Sequence, residues 1–275
     1  MRTVLALCLM LGASLRAAEP DLRPALAASD LNERYRLALA ALRTAENPAR
    51  HAGHADARVA EAAIDAARER IAEIEGEPTR EAERVADELL IFAERTDKVA
   101  LAARAVHAVA ESHNAFGGRI SGTMARLAVD STCAVRLDAI TALSELRDGS
   151  QAATLARLAG DANDAVAEAA RESLANIQGK GVTDAFLRGI GDTSLGTQAR
   201  IALLQAATKR GLTAATPAAA KALAEPALRN EAQKALLKLA RKTHLAELQA
   251  ARAALVDAPS TQAALDRLID RLSKE

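Results

Sequence analysis

The sequence predicts an all-α fold, a right-handed α-solenoid of stacked antiparallel helical pairs, and three observations carry that expectation. The 275 residues are half hydrophobic, yet Ala and Leu supply most of that half, with no Trp, one Tyr, three Phe, and few Gly or Pro. Such a composition favours helix almost throughout. The chain also repeats itself every 31 residues. Met124-Ala-Arg-Leu-Ala-Val-Asp130 matches Leu155-Ala-Arg-Leu-Ala-Gly-Asp161, and both match Phe186-Leu-Arg-Gly-Ile-Gly-Asp192. After Asp130 and Asp161 comes a run with small or apolar residues at offsets of zero, four, eight and eleven, a pattern that weakens after Asp192. Those offsets fall within about 80° of arc on a helix, so each run is one amphipathic helix.

In chain order, residues 1–18 have the anatomy of a secretory signal peptide: Arg2, an apolar run from Thr3 to Leu15, then small residues. Cleavage after Ala17 places Leu15 at the minus-three position, and cleavage after Ala18 places Arg16 there. A non-cleaved amphipathic start is the alternative. Cys8 lacks the small neighbour and long apolar run of a lipidation signal. The expected location is the periplasm or the cell exterior. No later stretch reaches the eighteen or so unbroken apolar residues of a membrane span, so no stable membrane insertion is expected. With the leader removed, Cys133 is the one remaining cysteine and no internal disulfide is possible. A half-buried thiol near a helix start is expected there, with an intermolecular bridge as the alternative.

Residues 19–117 read as irregular helical repeats. LNERYRLALAALRTA and DARVAEAAIDAARERIAEI read as helices, with breaks at Glu46-Asn47-Pro48 and Gly76-Glu77-Pro78. A stripe is expected at Val99, Ala103, His107 and Ala110. Residues 118–275 are regular. The stripes are Val135, Ala139, Leu143, Leu146; then Val166, Ala170, Leu174, Ile177. They weaken to Thr197, Ile201, Gln205, Thr208, return as Leu228, Ala232, Leu236, Leu239, and end as Thr261, Leu265, Ile269, Leu272. The turn Asp and its small or polar followers cap the second helix. Gly179, Gly181 and Gly211 close helices at repeat boundaries. A single pair cannot bury its apolar face, whereas stacked pairs share a continuous core. About seven pairs are expected.

The run from Asp130 through Val135, Arg136 and Ala139 to Leu143 resembles a HEAT repeat of the short bacterial kind, also found in phycobilin lyases. The resemblance is close over 118–275 and loose over 20–117. It implies an α-solenoid that binds other proteins, and a ladder in which the turn Asp and the helix Arg bond between neighbouring repeats. Asp130, Asp161 and Asp192 match the Asp, and Arg136 and Arg229 match the Arg. Ala167 and Gln198 replace the Arg between them, a departure across the middle of the array.

Two surface patterns are candidates for interaction. Arg126, Arg157 and Arg188 recur at the repeat period and should form a column able to hold an anionic partner. Each also stands four residues before an Asp, a spacing that makes a local ion pair on a helix end. The second helices, which in such solenoids line the concave face, vary on their outward side. The outward positions run Thr141, Glu145, Asp148; Glu172, Asn176, Gly179; Leu203, Ala207, Arg210; and Lys234, Lys238, Arg241. That surface passes from acidic through apolar to basic and would orient an elongated partner, unless the helix faces are merely solvated.

Other chemistry finds little support. His51 with His54, and His107 with His113, lack the third ligand that zinc needs. His107 fills a Leu slot and is expected to be partly buried. No covalent haem motif, phosphate loop or nucleophile elbow is present. A net charge of zero and three Phe with one Tyr argue against nucleic acid. No catalytic residue, cofactor or metal is nominated. The expected function is a non-enzymatic protein-interaction scaffold. The alternatives are an accessory enzyme or chaperone resembling the phycobilin lyases, and a structural spacer.

Overall fold

Fifteen α-helices make up the regular structure of the computed structural model, which describes residues 19–73, 80–111 and 118–274. No β-strand occurs among the described residues. The leader with Cys8, the break at 76–78 and His113 lie outside them. The chain divides at Phe116/Gly117 into two compact units.

Unit 1 holds α1 (Arg23–Ala27), α2 (Leu31–Leu42), α3 (Ala57–Ala72), α4 (Arg80–Arg95) and α5 (Val99–Ala110). Asp30 starts α2 by accepting from the Glu33 amide, and Asp56 starts α3 by accepting from Arg58 and Val59. These bonds satisfy amides that have no partner within the helix. α2 packs on α3, α4 on α5, and α3 on α5, so α3 is enclosed and buries Val59, Ala63, Ile64 and Ile71. Of the expected α5 stripe only Ala110 is fully buried, and Ala103 and His107 are half-buried. Val99 is half exposed, and the buried side carries Leu101, Ala102, Ala105, Val106 and Val109. Half of the α5 residues are Ala, and Ala fits either side of a helix, so its spacing does not mark the packed one.

Unit 2 is a two-layer array. Its first helices are α6 (Gly118–Val129), α8 (Ala152–Leu158), α10 (Val182–Gly191), α12 (Thr216–Ala222) and α14 (Leu245–Ala254). Its second helices are α7 (Arg136–Glu145), α9 (Asp164–Asn176), α11 (Thr197–Lys209), α13 (Arg229–Leu239) and α15 (Pro259–Lys274). Each first helix packs on its own second helix and on the first helix of the next pair, and the second helices stack likewise. Met124, Leu155 and Phe186, at the same place in three tiles, are all fully buried. The stripes of α7, α9 and α13 are buried at all four positions.

The third tile departs from the alignment. The turn Asp192 keeps the 31-residue step from Asp161, but the N-cap Gly196 follows Asp192 by four residues where Asn163 follows Asp161 by two. The whole of α11 is therefore rotated. Thr197 and Gln205 face solvent, Ile201 and Thr208 are half-buried, and the packed side is Ala199, Ala202, Leu203 and Ala206. The stripe has moved by two residues rather than weakened.

The boundary glycines do specific work at two loops. Gly179 has φ +111°, and a Cβ there would stand 1.7 Å from the Arg147 carbonyl oxygen. A Cβ on Gly149 would stand 2.5 Å from the Val182 nitrogen. The loops after α7 and α9 thus interlock backbone to backbone, joined by a bridge between Asp148 and Lys180.

Candidate interaction surface

The joints between helices show which polar groups are structural. At the end of each first helix in unit 2 one carbonyl lacks an intrahelical donor, and a second-helix side chain supplies it. Arg136 Nε donates to Ala128 O at 2.9 Å, Arg171 Nη1 to Ala159 O at 3.0 Å, and Arg200 Nε to Ile190 O at 2.8 Å. Arg229 Nε donates to Leu223 O at 3.1 Å, and Gln262 donates to Leu255 O. A cation there also suits the negative end of the helix dipole. Three of these arginines bond onward to the next turn: Arg136 to Asp161 and Arg200 to Glu225 at 2.6 Å, and Arg229 to Asp257 at 3.2 Å. The ladder therefore persists past Gln198, because Arg200 takes the place that the rotated α11 offers. At Ala167 no onward rung forms, but Arg171, one turn later, still reaches the Ala159 carbonyl. A long side chain absorbs the slip, which is why alignment by position misses it.

The turn carboxylates are committed as well. Asp130 accepts from Thr132, Asp161 from the Asn163 amide, and Asp192 from the Ser194 amide. The Asn163 amide and then Arg136 hold the Asp161 carboxyl below its usual range. The expected pairs Arg157–Asp161 and Arg188–Asp192 are not formed. Arg126, Arg157 and Arg188 are exposed along the first-helix face.

On the second-helix face, Glu145, Glu172, Lys234 and Lys238 are exposed as expected, with Lys234 paired to Glu231 at 2.6 Å. Leu203 is a correction. It is fully buried, and Ala207 with it, because Leu203 packs where Gly189 of α10 has no side chain. The exposed residues of α11 are Thr197 and Gln198 at its start, then Gln205 and Lys209. With that register the outer rows read Thr141, Glu172, Gln205, Lys234, Arg267 and Glu145, Asn176, Lys209, Lys238, Arg271, all exposed. The middle is polar, not apolar. A shallow groove of about 360 Å³ runs between α9 and α11, with Glu172 and Lys209 on its two sides.

Histidines and metal chemistry offer less. His54 Nδ1 accepts from the Asp56 amide at 3.0 Å, and burial lowers the His51 pKa. His107 is half-buried on α5. No group of three or more His, Cys, Asp or Glu able to hold a metal ion occurs among the described residues. None of the described helices is long and apolar enough to cross a membrane.

No family model matches the chain, and no curated protein matches it. The HEAT resemblance therefore stands on the quoted residues and the helical-repeat fold. Solved structures are similar at low identity. The YibA protein of Escherichia coli is 16% identical, with a TM-score of 0.40, over 93% of this chain and 92% of that one. An engineered protein is 16% identical, with a TM-score of 0.42, over 90% and 76%. Human deoxyhypusine hydroxylase, in complex with glycerol, is 17% identical, with a TM-score of 0.30, over 77% and 96%. The last corrects the expectation of a non-enzymatic protein, since an enzyme stands among the similar structures and the architecture does not argue against catalysis. At that similarity it carries no activity over to this chain. What the packing itself supports is an all-α helical-repeat protein.

Proposed function

We propose that unit 2 is a docking scaffold that holds an elongated protein partner along its second-helix face. The observation that carries this is the ordering of exposed charge in the corrected register. Glu145 and Glu172 stand at one end, Gln205 in the middle, and Lys209, Lys234, Lys238, Arg267 and Arg271 at the other. A partner with the opposite gradient is attracted in one orientation and repelled in the other, which sets direction as well as affinity. Long stacked arrays suit this role because each repeat adds one increment of contact surface.

The protein acts in the periplasm or outside the cell, on the strength of the leader in residues 1–18. Fractionation and N-terminal sequencing test the export, with a mature start after Ala17 or Ala18 as the expected result. For the docking face, photo-crosslinkers at Glu145 and Lys238 of the full chain should capture two ends of one partner in native cells. Lys234→Glu with Lys238→Glu should weaken that capture about tenfold, the order of two charge reversals. Unchanged capture would sink the proposal.

A further inference from the structure

The first-helix face of unit 2 carries a second pattern, independent of the graded face. The geometry points to a docking site there for an extended acidic peptide that ends in an apolar side chain. Arg126, Arg157 and Arg188 each stand two residues before a capped carbonyl, those of Ala128, Ala159 and Ile190. The next capped carbonyl, Leu223, puts Lys221 in the same register. The step to it is 33 residues, so a period of 31 does not find it. All four side chains are exposed, on four successive stacked helices. On those helices the only other charged residues are Arg119 and Asp184, which makes five cations against one anion. Asp161 and Asp192, four residues after Arg157 and Arg188, bond to turn amides and, at Asp161, to Arg136, although Asp130 still feels the charge of Arg126 and Asp192 that of Arg157.

The column ends at an apolar cleft. Lys221 lines a cavity of about 380 Å³ between α12 and α14 together with Pro217, Ala220, Ala250, Ala254 and Leu255, and the exposed Glu247 of α14 is its one carboxylate, so the peptide's last acidic residue must lie on the Lys221 side. α14 buries only Leu248, so its alanine side is left to line that cleft. Small side chains alone would mean little. Here they adjoin the last member of a cation row, and an anchor pocket beside a row of charges is how a peptide is held by both affinity and register. Stacked helices lie roughly 8–10 Å apart and an extended chain rises about 3.3 Å per residue, so the column matches an acidic residue at about every third position. The cleft has no aromatic ring among its lining residues, so it offers no platform for a nucleic-acid base.

The test uses the full-length protein and a fluorescein-labelled peptide in which Glu occupies every third position, Gly and Ser lie between, and Leu follows the last Glu by three residues. Fluorescence anisotropy at low salt should show binding at least tenfold tighter than for the same peptide with Gln. Arg157→Glu with Arg188→Glu should remove that advantage, with helicity checked by circular dichroism. Should that variant lose helicity, Arg157→Gln with Arg188→Gln serves instead. Ala250→Phe fills the cleft and leaves the cations, so it should abolish the gain of Leu over Ser at the peptide end. Equal binding of the Glu and Gln peptides, or full binding by the charge variants, overturns the proposal. So does an oligothymidylate that binds tighter than the peptide and ignores Ala250→Phe.

Discussion

The two units solve the same problem, satisfying polar groups at helix joints, in different ways. In unit 2 the recurring joint leaves one carbonyl open, and a side chain of the following helix closes it each time. Among its described residues unit 1 has one joint of that design: Arg34 donates to Ala28 O at 2.6 Å and to Asp56 at 2.6 Å. Elsewhere unit 1 relies on a buried carboxylate. Asp65 of α3 is 6% exposed and accepts from the Tyr35 hydroxyl of α2 at 2.5 Å and from Arg104 of α5 at 2.5 Å. One group ties three helices where no periodic joint is available. A regular stack spreads its polar stabilisation over many replaceable contacts, and an irregular one concentrates it.

The sharpest way to break unit 2 is through its loops. Gly179→Ala places a methyl group onto the Arg147 carbonyl and should cost about 3 kcal/mol or more, read as a shift of the urea midpoint. Gly181→Ala, at φ +79° with open space around it, should cost only about 1 kcal/mol. Unit 1 breaks at its concentrated point. Asp65→Ala leaves Tyr35 and Arg104 without their acceptor and should cost about 2–3 kcal/mol, reduced because Arg104 is half exposed. A loss below that of a single ladder substitution would contradict the idea that unit 1 concentrates its stabilisation.

Ladder rungs should matter less, and unequally. Arg200 is 6% exposed in its side chain, against 17% for Arg229, whose partner Asp257 is 70% exposed. Arg200→Met should cost about 2 kcal/mol and Arg229→Met about 1 kcal/mol or less. Thermal melts of the two variants check the order.

Titration separates the units with the smallest perturbation. Burial, and then the bond to Asp65, push the Tyr35 pKa up to about 12. A raised value means the folded state holds the proton. That stability is whole below the unfolded tyrosine value of about 10 and is lost as pH rises toward 12. Tyr35 is the only tyrosine and there is no tryptophan, so absorbance at alkaline pH reads this one site. A midpoint near 10 would remove it from the core. In unit 2 the turn carboxylates Asp161 and Glu225 are held below their usual range, by the Asn163 amide and then Arg136 for the first and by Arg200 for the second. Depressed values stabilise above about pH 4 and lose that contribution as pH falls further. Denaturant melts from pH 5 to 2 should show the decline, and Arg200→Met should remove the part due to Glu225.

Much of this organisation is legible in the sequence. Buried methyls recur because stacking needs them, so Val135, Ala139, Leu143 and their counterparts in α9 and α13 announce themselves by spacing. Two kinds of feature do not. α5 is half alanine, and a methyl group fits either side of a helix, so spacing alone does not mark its packed face. α11 turned because the stretch from Asp192 to its N-cap Gly196 is two residues longer than that from Asp161 to Asn163, and a fixed period cannot register a shift that conserves apolar character. Leu203 passed from the expected surface to the core, and Gln205 and Lys209 took its place outside. The candidate site moved with them.

By itself the sequence determined the helices, the pairing and the repeat, because local propensity and a recurring apolar offset are properties of neighbouring residues. The tertiary structure alone decided which side of α5 and α11 is buried. It also decided which arginine completes each joint, and that Lys221 continues the column of Arg126, Arg157 and Arg188 to the rim of an apolar cleft. Those outcomes depend on contacts between residues about 6 to 35 positions apart, where two extra residues in a turn rotate the helix that follows.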